Sequence, residues 1–205
     1  SVDMNDALDP DIASYRTFND FFMRALKPGA RPLANADLIC PVDGAISQFG
    51  AMDGKQILQA KGQHYLTTTL VGGDEALATQ FDHGSFATLY LSPRDYHRVH
   101  MPWTGTLRET LHVPGRIFSV APFAAQAIPR LFATNERTGC HFHTDLGPMA
   151  LAFVGPVTVS GAARVGGGLG GFRLGARAEI HRTIRGVADM VDDTKPEAAG
   201  TPDLV

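Results

Sequence analysis

Apolar positions near the start of the chain recur at helical intervals. Phe18, Phe21, Phe22 and Leu26 fall on one face of a short helix, with Thr17 or Asn19 as its cap and Lys27-Pro28-Gly29 as its end. Core packing is the first expectation for that aromatic face, and membrane contact the second. From Leu38 to about Ser160 the period shortens to that of strands. Pro41-Val42-Asp43-Gly44 reads as a turn leading into the alternating Ala45–Gly50. Phe86–Leu91 and Met149–Val154 are compact apolar runs of strand length, and Gly155-Pro156 turns the chain after the second. One helical piece interrupts the strands, Phe123 to Phe132, with Pro129 placed to break it. The expected fold class is α+β: a β-rich domain like a sandwich or barrel, with short helices at the amino terminus and in the middle. Three regions follow: a helical lead-in over 1–32, a β-rich domain over 33–160, and an atypical Gly/Arg-rich tail over 161–205. Between Gly161 and Gly175 lie seven glycines, threaded and followed by Arg164, Arg173, Arg177, Arg182 and Arg185. Glycine at that density carries a backbone entropy cost that disfavours regular elements, and the tail is expected to be partly disordered.

Composition narrows the classes. With 205 residues, 44% of them hydrophobic, the chain can bury a sizeable core. Eighteen basic against twenty-one acidic side chains give a net charge of −3, which argues against a nucleic-acid partner. No apolar run approaches the roughly 20 residues of a membrane-spanning helix, and the first residues lack the features of a signal peptide. Cys40 and Cys140 alone make no disulfide framework, so a reducing compartment is expected.

Chemistry concentrates in the histidines. Four of the eight form two tight pairs, His97 with His100 and His141 with His143. The i, i+2 spacing of His141 and His143 places both on one face of a strand, where two imidazoles could serve as zinc donors. The plainer reading is a pair of strand histidines without metal, because no carboxylate or thiol lies at a spacing that completes the set. His97 and His100 follow an apolar strand directly, among Arg94, Asp95, Tyr96 and Arg98. A strand end presents groups from a rigid scaffold, and imidazole is the proton carrier suited to neutral pH. Asp43, in its turn, is a candidate to orient one of these two rings.

The segment Tyr90-Leu91-Ser92-Pro93-Arg94-Asp95-Tyr96-His97-Arg98-Val99-His100-Met101-Pro102 closely resembles the signature of phosphatidylserine decarboxylases. The resemblance runs from Val2 to about Gly161. It takes in Tyr15–Phe22, Pro41–Gly44, Ile57–Gly62, Val113-Pro114-Gly115, Leu131–Arg137 and the surroundings of Gly147-Pro148-Met149. It implies a proenzyme that cuts itself at a Gly-Ser bond within Leu-Gly-Ser-Thr and leaves a pyruvoyl group on the smaller product. Asp43 and His100 match the family's Asp and His of the Asp-His-Ser processing triad, and His97 matches the histidine of the decarboxylation step. The resemblance also implies phosphatidylserine as substrate, a small α subunit and a second copy of the chain as partners, and a peripheral place on the cytoplasmic face of the cell membrane. No bound metal is implied.

The pyruvoyl-forming motif departs from this pattern. Its nearest match, Phe172-Arg173-Leu174-Gly175-Ala176-Arg177, places Ala176 where the serine should follow Gly175. A methyl group can neither attack a carbonyl nor eliminate to a ketone, so no pyruvoyl group is expected on this chain. The region linking Ser160 to that position is short and half glycine, and the sequence after it lacks the apolar strand the family uses there. Its Gly, Ala and Arg bias is what a shifted reading frame in a GC-rich gene would produce. Three readings result: a phosphatidylserine decarboxylase, an inert homologue or truncated product that keeps the fold, and a metal-binding β protein built on His97, His100, His141 and His143.

Overall fold

In the computed structural model, residues 2–155 are described throughout, together with the backbone of strands at 164–165, 168–169 and 179–183. The lead-in carries a 3-10 turn, Ile12–Ser14, capped by Asp11, and helix α1, Phe18–Phe22. Thr17 caps α1 as its sequence suggests: the side-chain oxygen accepts the Asp20 amide at 3.1 Å. Strands β1 (Ala45–Ala51), β2 (Gln56–Ala60) and β3 (Gln63–Leu66) come next, then helices α2 (Thr67–Leu70) and α3 (Glu75–Thr79). After β4 (Ser85–Tyr90) and β5 (Thr106–Val113) the predicted break near Pro129 divides α4 (Pro122–Ala127) from α5 (Leu131–Thr134). Arg130, in the left-handed region at φ 54°, turns the chain between them. Strands β6 (Arg137–Thr144) and β7 (Gly147–Val154) form a hairpin; the short β8 (Arg164–Val165) and β9 (Gly168–Leu169) pair with each other, and β10 (Glu179–Thr183) follows.

Six strands make one antiparallel sheet in the order β1-β4-β10-β7-β6-β5. The α+β class is as the sequence implies, but the sheet is open: β1 and β5 are its edges, and it does not close into a barrel. Nor is the second layer a large sheet, as a sandwich would require. One face is covered by the β2–β3 hairpin and helices α2 to α5, which bury Ile57, Tyr65, Leu70, Phe81, Leu131 and Phe132 against Phe86, Ala152 and Val154. The other face buries Leu89, Cys140, Phe142, Met149, Leu151 and Phe153 beneath Val42, Val99 and Met23, from the lead-in and the loops. The period of two in β6 and β7 sorts these residues, since Cys140 pairs with Leu151 and Phe142 with Met149, while His141 pairs with Ala150 on the opposite side.

β10 occupies the middle of the sheet, where its main chain pairs with β4 on one side and β7 on the other. A strand thus forms in the stretch after Ala176 that the sequence makes rich in charged residues. Two facing strands with unpaired amides and carbonyls select an inserted strand by hydrogen bonding as well as by side-chain polarity.

Arg137 joins the sheet to the helical layer. Buried at the start of β6, it donates to the carbonyls of Leu70 at 2.6 Å, Ala133 at 2.9 Å and Asn135 at 2.7 Å, and also to that of Thr69. Burial pulls its pKa down to about 10, so it remains charged at neutral pH.

Candidate active site

The loop after β4 is shaped by its own polar groups. Asp95 accepts the Ser92 amide at 2.6 Å while its own amide donates to the Ser92 carbonyl at 2.9 Å, folding Ser92–Asp95 into a turn. That turn delivers Tyr96, His97 and Val99 into the interior, each at most 5% exposed. The end of α1 is knitted to the same loop: Phe22 packs on His97, Arg98 Nε donates to the Met23 carbonyl at 2.9 Å, and Arg24 Nη2 to the Arg94 carbonyl at 3.3 Å. The aromatic face of the lead-in therefore divides. Phe22 is core at 2% exposure, whereas Phe18 stands out at 62%.

His97 is fully buried, with Nδ1 2.7 Å from the Asp95 carbonyl. A carbonyl only accepts, so Nδ1 carries the hydrogen and Nε2 is the ring's lone-pair nitrogen when neutral. His100 has Nε2 3.1 Å from Tyr96 Oη, and the two rings stack with centroids 5.7 Å apart. Its backbone amide donates to the Pro41 carbonyl at 2.8 Å, and the Ile39 amide to the Pro102 carbonyl at 3.1 Å. These bonds lay the segment carrying Asp43 beside the segment carrying His100. Gly44 permits the approach of β1 to β4, because a Cβ there would lie 2.6 Å from the Tyr90 carbonyl oxygen.

The Asp43 carboxylate is held by Arg31. Arg31 Nε reaches both carboxylate oxygens at 3.0 and 2.9 Å, Nη2 reaches Oδ2 at 2.6 Å, and Nη1 bonds Asp6 at 2.7 Å. These two carboxylates push the Arg31 pKa upward, with the hydrogen bond to Asp43 the largest cause. Asp43 and Tyr96 line one open cleft of about 330 Å³, together with Asp3, Asp6, Arg24, Leu26, Arg31, Arg94 and Asp95. Tyr96 is thus the wall between cleft and His100. Neither Tyr96 nor Arg31 was singled out by sequence reasoning. The four-residue spacing from Tyr96 to His100 was a usable hint, while nothing in the sequence ties Arg31 to Asp43. Gly175 and Ala176 lie outside the described residues.

His141 and His143 share a face of β6, as their spacing predicts, but His141 is buried and His143 exposed. His141 sits among Leu70, Phe81, Leu111 and Ala152, across the sheet from His97 and His100. Among the described residues no three His, Cys, Asp or Glu side chains converge as a metal site. No helix among them is long and apolar enough to cross a membrane.

The family model for phosphatidylserine decarboxylase matches residues 18–162, which contain every described site residue from Arg24 to His141. Proteins named phosphatidylserine decarboxylase proenzyme are close in sequence. That of Albidiferax ferrireducens is 64% identical over 164 residues, covering 80% of this chain and 58% of the relative. That of Delftia acidovorans is 60% identical over 168 residues, covering 82% and 59%. That of Azoarcus sp. is 60% identical over 164 residues, covering 80% and 57%. The chain therefore spans less than two thirds of the length of these relatives. The Ser92–Pro102 loop, packed on α1 and set beside the Asp43 turn, lies within a match of this extent, and the chain belongs to the phosphatidylserine decarboxylase family.

Proposed function

We propose that this chain carries the larger-subunit machinery of a phosphatidylserine decarboxylase, which converts phosphatidylserine to phosphatidylethanolamine and CO₂, and that alone it is inert. The observation that carries the reading is the buried His97, set by Phe22 and the Asp95 carbonyl at the end of β4, with His100 and Asp43 on adjoining segments. In this reading His97 Nε2, the lone-pair nitrogen of the neutral ring, first takes up a proton to give the imidazolium and then delivers it to the carbon that loses CO₂, returning to the neutral ring; burial keeps bulk water from that exchange. His100 is the base of the processing reaction, with Tyr96 Oη 3.1 Å from its Nε2 and with Asp43, on the adjoining segment, in the role of orienting carboxylate that the family resemblance gives it.

The pyruvoyl group of such enzymes does not fit this chain. It is made from a serine, and Ala176 has no hydroxyl to attack the Gly175 carbonyl. The family match also stops at residue 162, before that position. The group would have to be supplied from outside residues 1–205. Exposed Leu8, Ile12 and Phe18 on the lead-in support contact with the cytoplasmic face of a membrane, where the substrate resides.

Denaturing mass spectrometry and an assay for CO₂ release from phosphatidylserine vesicles test the proposal together. One intact species near 21.9 kDa without CO₂ release is expected. Two fragments, the smaller blocked by a ketone at its amino terminus, would overturn it. Ala176→Ser is expected to stay uncut, because the sequence around it lacks the family's motif and apolar strand.

A further inference from the structure

The charges lining the cleft are unequally satisfied. Arg31 is matched by Asp6 and Asp43. Asp95 accepts the Ser92 amide, and Asp3 accepts the Asn5 amide at 2.9 Å. Arg24 is different. Only 5% exposed, it lines the cleft with a guanidinium that makes two long bonds to neutral carbonyls, 3.5 Å to Phe21 and 3.3 Å to Arg94. Its charged end lies 5.1 Å from the centre of the Phe21 ring, which supports the group from behind and offers no counter-charge. Among the described residues no carboxylate is hydrogen-bonded to this guanidinium, although Asp43 and Asp95 act on its charge from a distance, and a buried fork with five donors is costly unless an anion completes it.

We propose that Arg24 is the phosphate-binding residue of this cleft, taking a non-bridging oxygen pair of a phosphodiester headgroup; this rests on the phosphatidylserine reading above. A planar fork matches two phosphate oxygens. Arg94, exposed at the same cleft, adds a second positive charge at its mouth. Asp3 and Asp95, each bonded to one backbone amide, offer the complementary side for an ammonium, so the cleft suits a zwitterionic ligand. The substrate carboxylate is the poorer partner for Arg24. A tight ion pair to the group that must leave as CO₂ would stabilise the ground state and be lost in the transition state, which raises the barrier. The phosphate is unchanged by the reaction, so binding it costs nothing in the chemical step. Arg24 reaches the His97 loop through the Arg94 carbonyl, and Phe22, two residues earlier, touches His97 itself. Anchoring the phosphate at Arg24 therefore fixes the headgroup relative to the imidazole.

The test is a binding titration of the full chain with glycerophosphoserine, inorganic phosphate and L-serine, repeated with Arg24→Met and Arg24→Lys, each checked for its fold by circular dichroism. The parent is expected to bind glycerophosphoserine, with inorganic phosphate displacing it and L-serine failing to do so. Arg24→Met is expected to weaken binding about tenfold or more, and Arg24→Lys less, because the charge survives without the fork. If Arg24→Met does not fold, the parent-against-Lys comparison and the phosphate displacement decide. A folded Arg24 variant that binds as the parent does would overturn the proposal. So would a parent that binds neither phosphate probe, or displacement by L-serine that depends on Arg24. Arg24-dependent binding with inorganic phosphate as good as glycerophosphoserine would leave the phosphate site standing and remove the support for phosphatidylserine.

Discussion

The ring of Phe22 lies 3.8 Å, centroid to centroid, from the imidazole of His97, with 37° between their planes. The contact joins a residue of the lead-in to one 75 positions later, and it closes one side of the chamber in which the imidazole sits. The phenyl group blocks rotation of the buried ring about its side-chain bonds, beside the bond from Nδ1 to the Asp95 carbonyl. Placement of Nε2 therefore depends on an apolar neighbour as much as on the Asp95 carbonyl.

Phe22→Ala is expected to cost about 3 to 5 kcal/mol of stability, as large-to-small changes at filled aromatic sites do. Phe22→Leu retains most of the apolar contact and should cost about 1 kcal/mol. Urea unfolding gives both values. Imidazole resonances of His97 that shift in the alanine variant and stay near their parental positions in the leucine variant would separate loss of packing from loss of placement.

Arg137 is the second point of leverage. Arg137→Met removes the donors to four carbonyls, and those of Leu70, Ala133 and Asn135 lose a bond made in the interior. A loss of about 3 kcal/mol or more is expected in the free energy of unfolding. Arg137→Lys should recover only part of this, because an ammonium cannot span carbonyls spread over Thr69–Leu70 and Ala133–Asn135. Recovery of full stability by lysine would show that charge rather than the fork is what the site uses.

His141 makes stability depend on pH. Both ring nitrogens are buried without a hydrogen-bond partner, and burial lowers the pKa below the ordinary 6.5. The unfolded chain then binds the proton more readily than the folded one. Stability from this residue is whole above about pH 6.5 and falls as pH drops from there through the folded pKa. His141→Leu should remove that part of the acid sensitivity and raise stability near neutrality by about 1 kcal/mol, since an unsatisfied polar group gives way to an apolar one. Parallel slopes for parent and variant between pH 7 and pH 5 would refute this account.

Local chemistry was the legible part of the sequence. The Thr17 cap, the break at Pro129 and the strands around Phe86 and Met149 each rest on neighbours along the chain, where period and turn residues speak directly. The open sheet was not legible, because alternation reports that a strand has a buried face and not what covers it. The site divides in the same way. His97, His100 and Asp43 stand out through the motif that surrounds them, but the hold of Arg31 on Asp43 and the burial of Arg24 arise from packing between segments far apart in sequence. Exposure of Phe18 and burial of Phe22 show the same limit within a single helical face.

The place of β10 has a consequence for any enzyme that breaks its own chain. Both long edges of this strand are hydrogen-bonded, one to β4 and one to β7, so it is clasped by partners on either side. Severing the backbone anywhere between Gly155 and Glu179 would leave that clasp untouched. Two polypeptides would persist as one particle, joined by a ladder instead of a peptide bond, and separating them would require tearing the sheet down its middle. A sheet so threaded holds both lengths of chain together whether or not a covalent link joins them.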